Sequence, residues 1–157
     1  MILRLLHPGS ASKGPLDDAA AIYKKRIRGL RVEERFLKAE KISNKGKAGV
    51  QLALQREGER LLQAVGARDR LVVLDPHGKC WTSTETSKRL QQWMSNGHQA
   101  VCFVLGSAYG LDDSVRKQAQ DVWSFGNMTL PHDLARVVLW EQIYRAQSIL
   151  KGEPYHK

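Results

Sequence analysis

Two runs of this chain are apolar at every position: residues 71–74 (LVVL) and residues 100–105 (AVCFVL). A half-solvated strand alternates apolar and polar positions. A strand apolar throughout is covered on both faces, as in a parallel sheet enclosed by helices. Each run ends in a Gly-containing turn, and a helical pattern follows, which implies right-handed strand–helix–strand crossovers. The reading is an α/β fold of three layers with a mostly parallel sheet in the middle.

The other elements fit that plan. Residues 1–7 (MILRLLH) read as a first strand closed by Pro8 and Gly9, and residues 31–37 (RVEERFL) as another. Residues 16–28 read as a helix, with Asp17 and Asp18 in its first turn, bases at its end and Gly29 as its stop. Residues 38–49 read as a mobile basic loop, and 50–65 as a helix capped by Gly66. Thr82 and Glu85 fit a capping box for a helix reaching about Asn96. Asp112 and Asp113 open a short helix, and residues 122–125 form a short third apolar strand. A last helix covers 134–150, with Asp133 as its N-cap. Its apolar residues fill more than one stripe, which predicts a second buried face, in an unusually deep core or against another subunit; the length of the chain favours a homodimer. The chain, 1–157, reads as one domain with a basic part (1–70) and a ligand-binding part (71–157).

Charge divides the same way. The net charge is +9, and residues 1–70 hold 16 Lys and Arg against 8 Asp and Glu. Between Lys24 and Lys47 lie ten basic residues and three acids, Glu33, Glu34 and Glu40. Such an excess favours a polyanionic partner. Cys80 and Cys102 have no metal-ligand spacing and read as buried, reduced hydrophobes, so no metal is expected. No apolar run is long enough for a membrane, and residues 1–7 do not form a signal peptide. The expectation is a soluble, cytoplasmic protein, or an organellar one if a targeting extension has been removed.

Ligands of open α/β sheets bind beyond the carboxyl ends of the strands. Three such ends are alike here: 74–78 (LDPHG), 105–110 (LGSAYG) and 125–131 (FGNMTLP). Neither GxGxxG nor GxxxxGK[ST] is present, which argues against a dinucleotide or a P-loop phosphate site. His132 is placed to act as a helix-entry residue or as part of a site. Arg136 and Arg145 are placed to pair with acids or bind phosphate. Tyr155 and His156 stand on a proline-stiffened tail able to fold over a site. The four tryptophans read as core, and His7 and His98, which carry no motif, as structural.

These residues resemble the RlmH family of SPOUT-class methyltransferases. The resemblance rests on residues 128–132 (MTLPH), Arg136, residues 141–146 (EQIYRA) and residues 152–157 (GEPYHK), with Leu74, Asp75, Gly78, Lys79, Gly106 and Gly110 matching two further segments. It implies an α/β knot, a C-terminal trefoil, and a homodimer that binds S-adenosylmethionine. It further implies methylation of N3 of a pseudouridine in 23S rRNA, on free RNA or on the ribosome. The family's cofactor positions fall on Leu74, Gly106, Phe125, Gly126, Asn127, Met128, Thr129 and Leu130. Ser107, Phe125 and Gly126 depart from its usual pattern and alter the wall of the site. For the base or charge that assists deprotonation, the candidates are His132, Arg136, Tyr155 and His156. Two alternatives stand beside this reading: a non-catalytic RNA- or ribosome-binding module, and an enzyme for another small anionic ligand.

Overall fold

The structure, a computed structural model, describes residues 1–10, 13–42 and 46–157. Among them, five strands form one sheet: β1 (Ile2–Pro8), β2 (Arg31–Leu37), β3 (Arg70–Cys80), β4 (Ala100–Leu105) and β5 (Asp121–Ser124). The order is β2-β1-β4-β3-β5, and every neighbouring pair is parallel. The helices are α1 (Pro15–Arg26), α2 (Lys47–Gln63), α3 (Ser83–Ser95), α4 (Asp113–Gln118) and α5 (His132–Leu150). None is long and apolar enough to cross a membrane.

Strand alternation sorts the core into two sides. Leu3, Leu5, Val72, Leu74, Val101 and Phe103 pack with Leu90 and Trp93 of α3 and with Leu139, Trp140 and Ile143 of α5. Leu6, Leu71, Val73, Cys102 and Val104 pack on the opposite side with Leu61 of α2 and Val115 of α4. Each side chain fully buried this way contributes about 1.5–3 kcal/mol. The continuous apolar runs are therefore central strands covered on both faces, and the three layers follow.

Several boundaries differ from the sequence reading. β3 does not stop at Leu74. Its pairing with β5 breaks there and resumes at Lys79 and Cys80, opposite Trp123 and Ser124. Gly78 permits this return, because a Cβ there would lie 2.5 Å from the Val122 carbonyl oxygen. Cys80 is consequently exposed on the extended strand rather than buried, whereas Cys102 is buried. α2 starts inside the expected loop, at Lys47, and ends at Gln63; Ala64, not Gly66, is its C-cap. Gly66 instead donates its N–H to the Asp69 carboxylate. The expected mobility of residues 43–45 lies outside the described residues.

Other caps matched their chemistry. Thr82 and Glu85 make the reciprocal capping box of α3, and Asp112 caps α4. Asp133 is not the N-cap of α5. That position falls on Pro131, and Asp133 sits in the first turn facing Arg136. Trp93, Trp123 and Trp140 are core residues, while Trp81 is half-buried and stacks on Trp123 at 4.8 Å.

Candidate cofactor and catalytic site

A parallel sheet gathers all its carboxyl ends along one edge. Here the register sets Leu74 beside both Leu105 of β4 and Trp123 of β5. The break in pairing after Leu74 and the turns that begin at Gly106 and Phe125 therefore lie side by side, although β3 rejoins β5 at Lys79.

Each turn is fixed by its own chemistry. Asp75 accepts hydrogen bonds from Arg116 Nε (2.8 Å) and from the His77 backbone (2.9 Å), with His77 Nδ1 also at 2.9 Å. Burial pushes the Asp75 carboxyl upward, but these bonds, that from Arg116 foremost, outweigh it and hold the group below its ordinary value. The Gly106 turn closes on itself through Ser107 N–H to Gly110 O (3.0 Å) and Gly110 N–H to Ser107 O (2.9 Å). A Cβ on Gly106 would stand 2.5 Å from the Gly110 oxygen, so only glycine fits. At Gly126 the backbone takes φ +127°, and its N–H donates to Ser124 Oγ.

Beyond Gly126, residues Asn127, Met128 and Thr129 are exposed. Their backbone N–H groups, and that of Leu130, donate no hydrogen bond among the described residues. Uncommitted backbone donors next to the apolar Leu74, Leu105 and Leu130 suit a ligand with a flat heterocycle and polar edges. Among the described residues no group of three or more His, Cys, Asp or Glu could hold a metal ion.

The four catalytic candidates do not converge within one chain. His132 opens α5, at the end of this exposed loop, and its ring meets that of His7 edge-on at 5.1 Å. Arg136 is fully buried, and its guanidinium engages Glu34, Asp17 and Asp133. Its charge is thereby spent on tying α5 to β2 and α1. Tyr155 folds back along α5, donating to Glu141 Oε1 at 3.1 Å and packing 4.7 Å from Tyr144, beneath the Arg145 guanidinium. Burial first, and then its bonds to Tyr23 and Glu141, push its phenol up to about 12, so it stays a donor near neutral pH. Glu141 stands nine positions after His132, about 13 Å along the helix axis. Tyr155 is therefore remote from His132 in its own chain, and exposed His156 follows it.

Sequence reasoning missed two parts of this region. Glu34 accepts from Arg136, Lys24 and the Trp140 indole and so organises the α1–β2–α5 junction. His7 is buried beside His132. Its parity with Leu3 and Leu5 on β1 was the available signal, since it places His7 on the α5 side of the sheet.

An all-parallel sheet in this order, with glycine-bearing strand ends side by side, defines an α/β protein with a candidate ligand site at the carboxyl edge of its sheet. The chain belongs to the SPOUT methyltransferases: the family described as "Predicted SPOUT methyltransferase" matches residues 1–156. SPOUT methyltransferases use S-adenosylmethionine. Similar proteins include three named "Ribosomal RNA large subunit methyltransferase H". That of Chromobacterium violaceum is 39% identical over 158 residues, covering 100% of this chain and 99% of the relative. That of Nitratidesulfovibrio vulgaris is 42% identical over 156 residues, with 98% and 97% covered. That of Leuconostoc citreum is 38% identical over 165 residues, with both chains fully covered.

Proposed function

We propose that this chain transfers a methyl group from S-adenosylmethionine to N3 of a pseudouridine in 23S large-subunit rRNA. The observation that carries the reading is the meeting of the Leu74, Gly106 and Phe125 turns at one sheet edge, with His132 at its rim. Leu74, Gly106, Phe125, Gly126, Asn127, Met128, Thr129 and Leu130 hold the cofactor, largely through backbone groups and apolar contact. When bound, S-adenosylmethionine supplies an activated methyl group on a sulfonium. The chain's own residues then hold base and cofactor in line. They also accept the N3 proton, and His132, half-buried at the rim, is the acceptor.

The finer architecture follows the same reading. The C-terminal part forms a trefoil knot. Two chains pair through the outer stripe of α5, where Leu134 and Leu150 are each 36% exposed and Val138 and Ile149 are half-buried. Pairing brings the partner's tail, with Tyr155 and His156, to the site that this chain's own tail does not reach. The basic segment and the tail form one RNA face: Arg26 lies 5.7 Å from the Tyr144 ring, against which Tyr155 packs. A flipped-out loop base suits this arrangement. The workplace is that of the ribosome, in the cytoplasm.

Titration with S-adenosylmethionine tests the reading first, with micromolar affinity expected. Absence of binding at millimolar ligand overturns it in favour of a non-catalytic RNA-binding module. Transfer of labelled methyl to ribosomes and to free rRNA then identifies the substrate form.

A further inference from the structure

His7 is 6% exposed, and its Nδ1 is buried without a hydrogen-bond partner. It lies one step beyond Leu6, the last β1 residue paired with β4, and hence at the edge where the Gly106 turn begins. Its ring stands between Phe36 of β2, at 5.7 Å, and His132 of α5, at 5.1 Å and T-shaped. β1 is a central strand, so the His7 ring is fixed by the sheet. His132 is the first residue of a helix, where a side chain has no preceding turn to rest on.

We propose that His7 is a positioning residue for methyl transfer: its buried ring braces the His132 ring edge-on at the rim of the cofactor site. The proposal rests on His132 being the proton acceptor. Its surroundings keep the bracing ring of His7 neutral. The titratable and charged groups that face His7 are His132 and Arg136 of α5, its ring contact on β2 is the uncharged Phe36, and the β2 carboxylate on this side, Glu34, is engaged by Arg136. The acids of this region, Asp17, Glu34 and Asp133, already bind Arg136. A proton on His7 would therefore add an unpaired cation beside a buried guanidinium. Burial, then the neighbouring His132, also lower the basicity of His7, so its ring stays neutral.

The brace matters because small misplacement of a catalytic group costs rate, about a hundredfold for 1 Å. In His7→Val, which removes the ring but suits a strand, kcat on ribosomes should fall about tenfold. The KM for S-adenosylmethionine should stay within about twofold, because the cofactor turns are untouched. His7→Phe keeps an aromatic edge and volume and should recover most of kcat. Nitrogen–proton NMR of the imidazoles provides a readout independent of turnover. The His132 ring signals should shift or broaden in His7→Val, and His7 should take its proton at higher pH in His132→Gln than in the wild type. A His7→Val enzyme with wild-type kcat and unmoved His132 signals overturns the proposal, as does a His7 titration indifferent to His132→Gln. A His7→Phe enzyme as slow as His7→Val excludes the edge contact as cause. Full turnover in His132→Gln overturns the acceptor role, and with it the kinetic consequence; the ring signals alone then decide the brace.

Discussion

Arg136 Nη2 and Glu34 Oε2 lie 2.8 Å apart, although 102 residues separate them in sequence. The arginine is fully buried, and the glutamate also accepts the Trp140 indole N–H and the Lys24 ammonium. Removing one member of such a pair strands a buried charge and costs about 3–5 kcal/mol. Arg136→Met should therefore lower the free energy of unfolding by that amount in urea titration. Glu34→Gln leaves Asp17 and Asp133 on the arginine and should cost less, about 1–3 kcal/mol. Equal losses in the two variants would show that Glu34 alone carries the junction.

Stability should fall towards acid in two steps. Burial pushes Glu34 and Asp75 up, but hydrogen bonds from Arg136 to the first and from Arg116 to the second outweigh it, so both stay below their ordinary values of 4.5 and 3.8. The unfolded chain binds these protons more readily. Their contribution is full above the unfolded values and is lost as pH falls through the lower, folded ones. His7, whose basicity is lowered by burial, adds an earlier loss that begins as pH falls through its ordinary value of 6.5. Unfolding free energy measured from pH 7 to 3 should decline gently and then steeply. Glu34→Gln should flatten the steep part, and His7→Phe the gentle one.

Gly106 decides the shape of the central turn. A methyl there would collide with the Gly110 carbonyl, at 2.5 Å for oxygen and 2.7 Å for carbon, and with Leu111 at 2.8 Å. Two of these atoms are backbone, so the turn itself must move. Gly106→Ala should weaken S-adenosylmethionine binding at least about tenfold by calorimetry, about 1.4 kcal/mol. Asp75→Asn, which weakens the Arg116 and His77 bonds at the neighbouring strand end, should weaken it as well. Unchanged affinity in both would move the cofactor away from these strand ends.

The layered α/β plan was readable because it follows from local pattern. Residues 100–105 could be nothing but a doubly covered strand, and the Thr82–Glu85 box announced α3 within one turn. Grouping the three strand ends needed only the parallel register. What stayed hidden depends on contacts between distant positions. The return of β3 to β5 past Gly78 is set by the Val122 carbonyl on another strand, so the exposure of Cys80 had no local sign. The Arg136–Glu34 pair and the His7–His132 contact join the first third of the chain to α5. No periodicity reports such pairings, and both residues missed by the sequence reading, Glu34 and His7, belong to them.

The two cysteines should separate cleanly in alkylation. Only a thiolate reacts. Burial, and then the Asp69 carboxylate, push the Cys102 thiol up to about 12, whereas Cys80 is exposed. Iodoacetamide at pH 8 should modify Cys80 alone in the native protein and both residues in urea, as read by peptide mass spectrometry. Native labelling of Cys102 would mean that β4 opens far more readily than its burial implies.

RNA binding should follow the basic segment and weaken with salt. The three acids among its bases are occupied: Glu33 by Arg4, Arg31 and Arg35, Glu34 by Lys24 and Arg136, and Glu40 by Arg56 and Arg60. Lys25, Arg26, Arg28, Lys38 and Lys41 are exposed and join no ion pair among the described residues. Arg28 is anchored to α5 at its backbone, where Gln147 accepts from its N–H and donates to its carbonyl, each at 2.8 Å. This holds the cationic surface at a fixed distance from the Tyr144 and Tyr155 rings. On a single-stranded loop, each phosphate neutralised adds about −0.7 to the slope of log K against log salt. Replacing Lys25, Arg26 and Arg28 together by glutamine should make that slope shallower by up to about 2. Affinity for S-adenosylmethionine should not change, since the proposed cofactor edge lies on the half of the chain that carries almost none of the net charge. A slope unaffected by the triple change would place the RNA on another face.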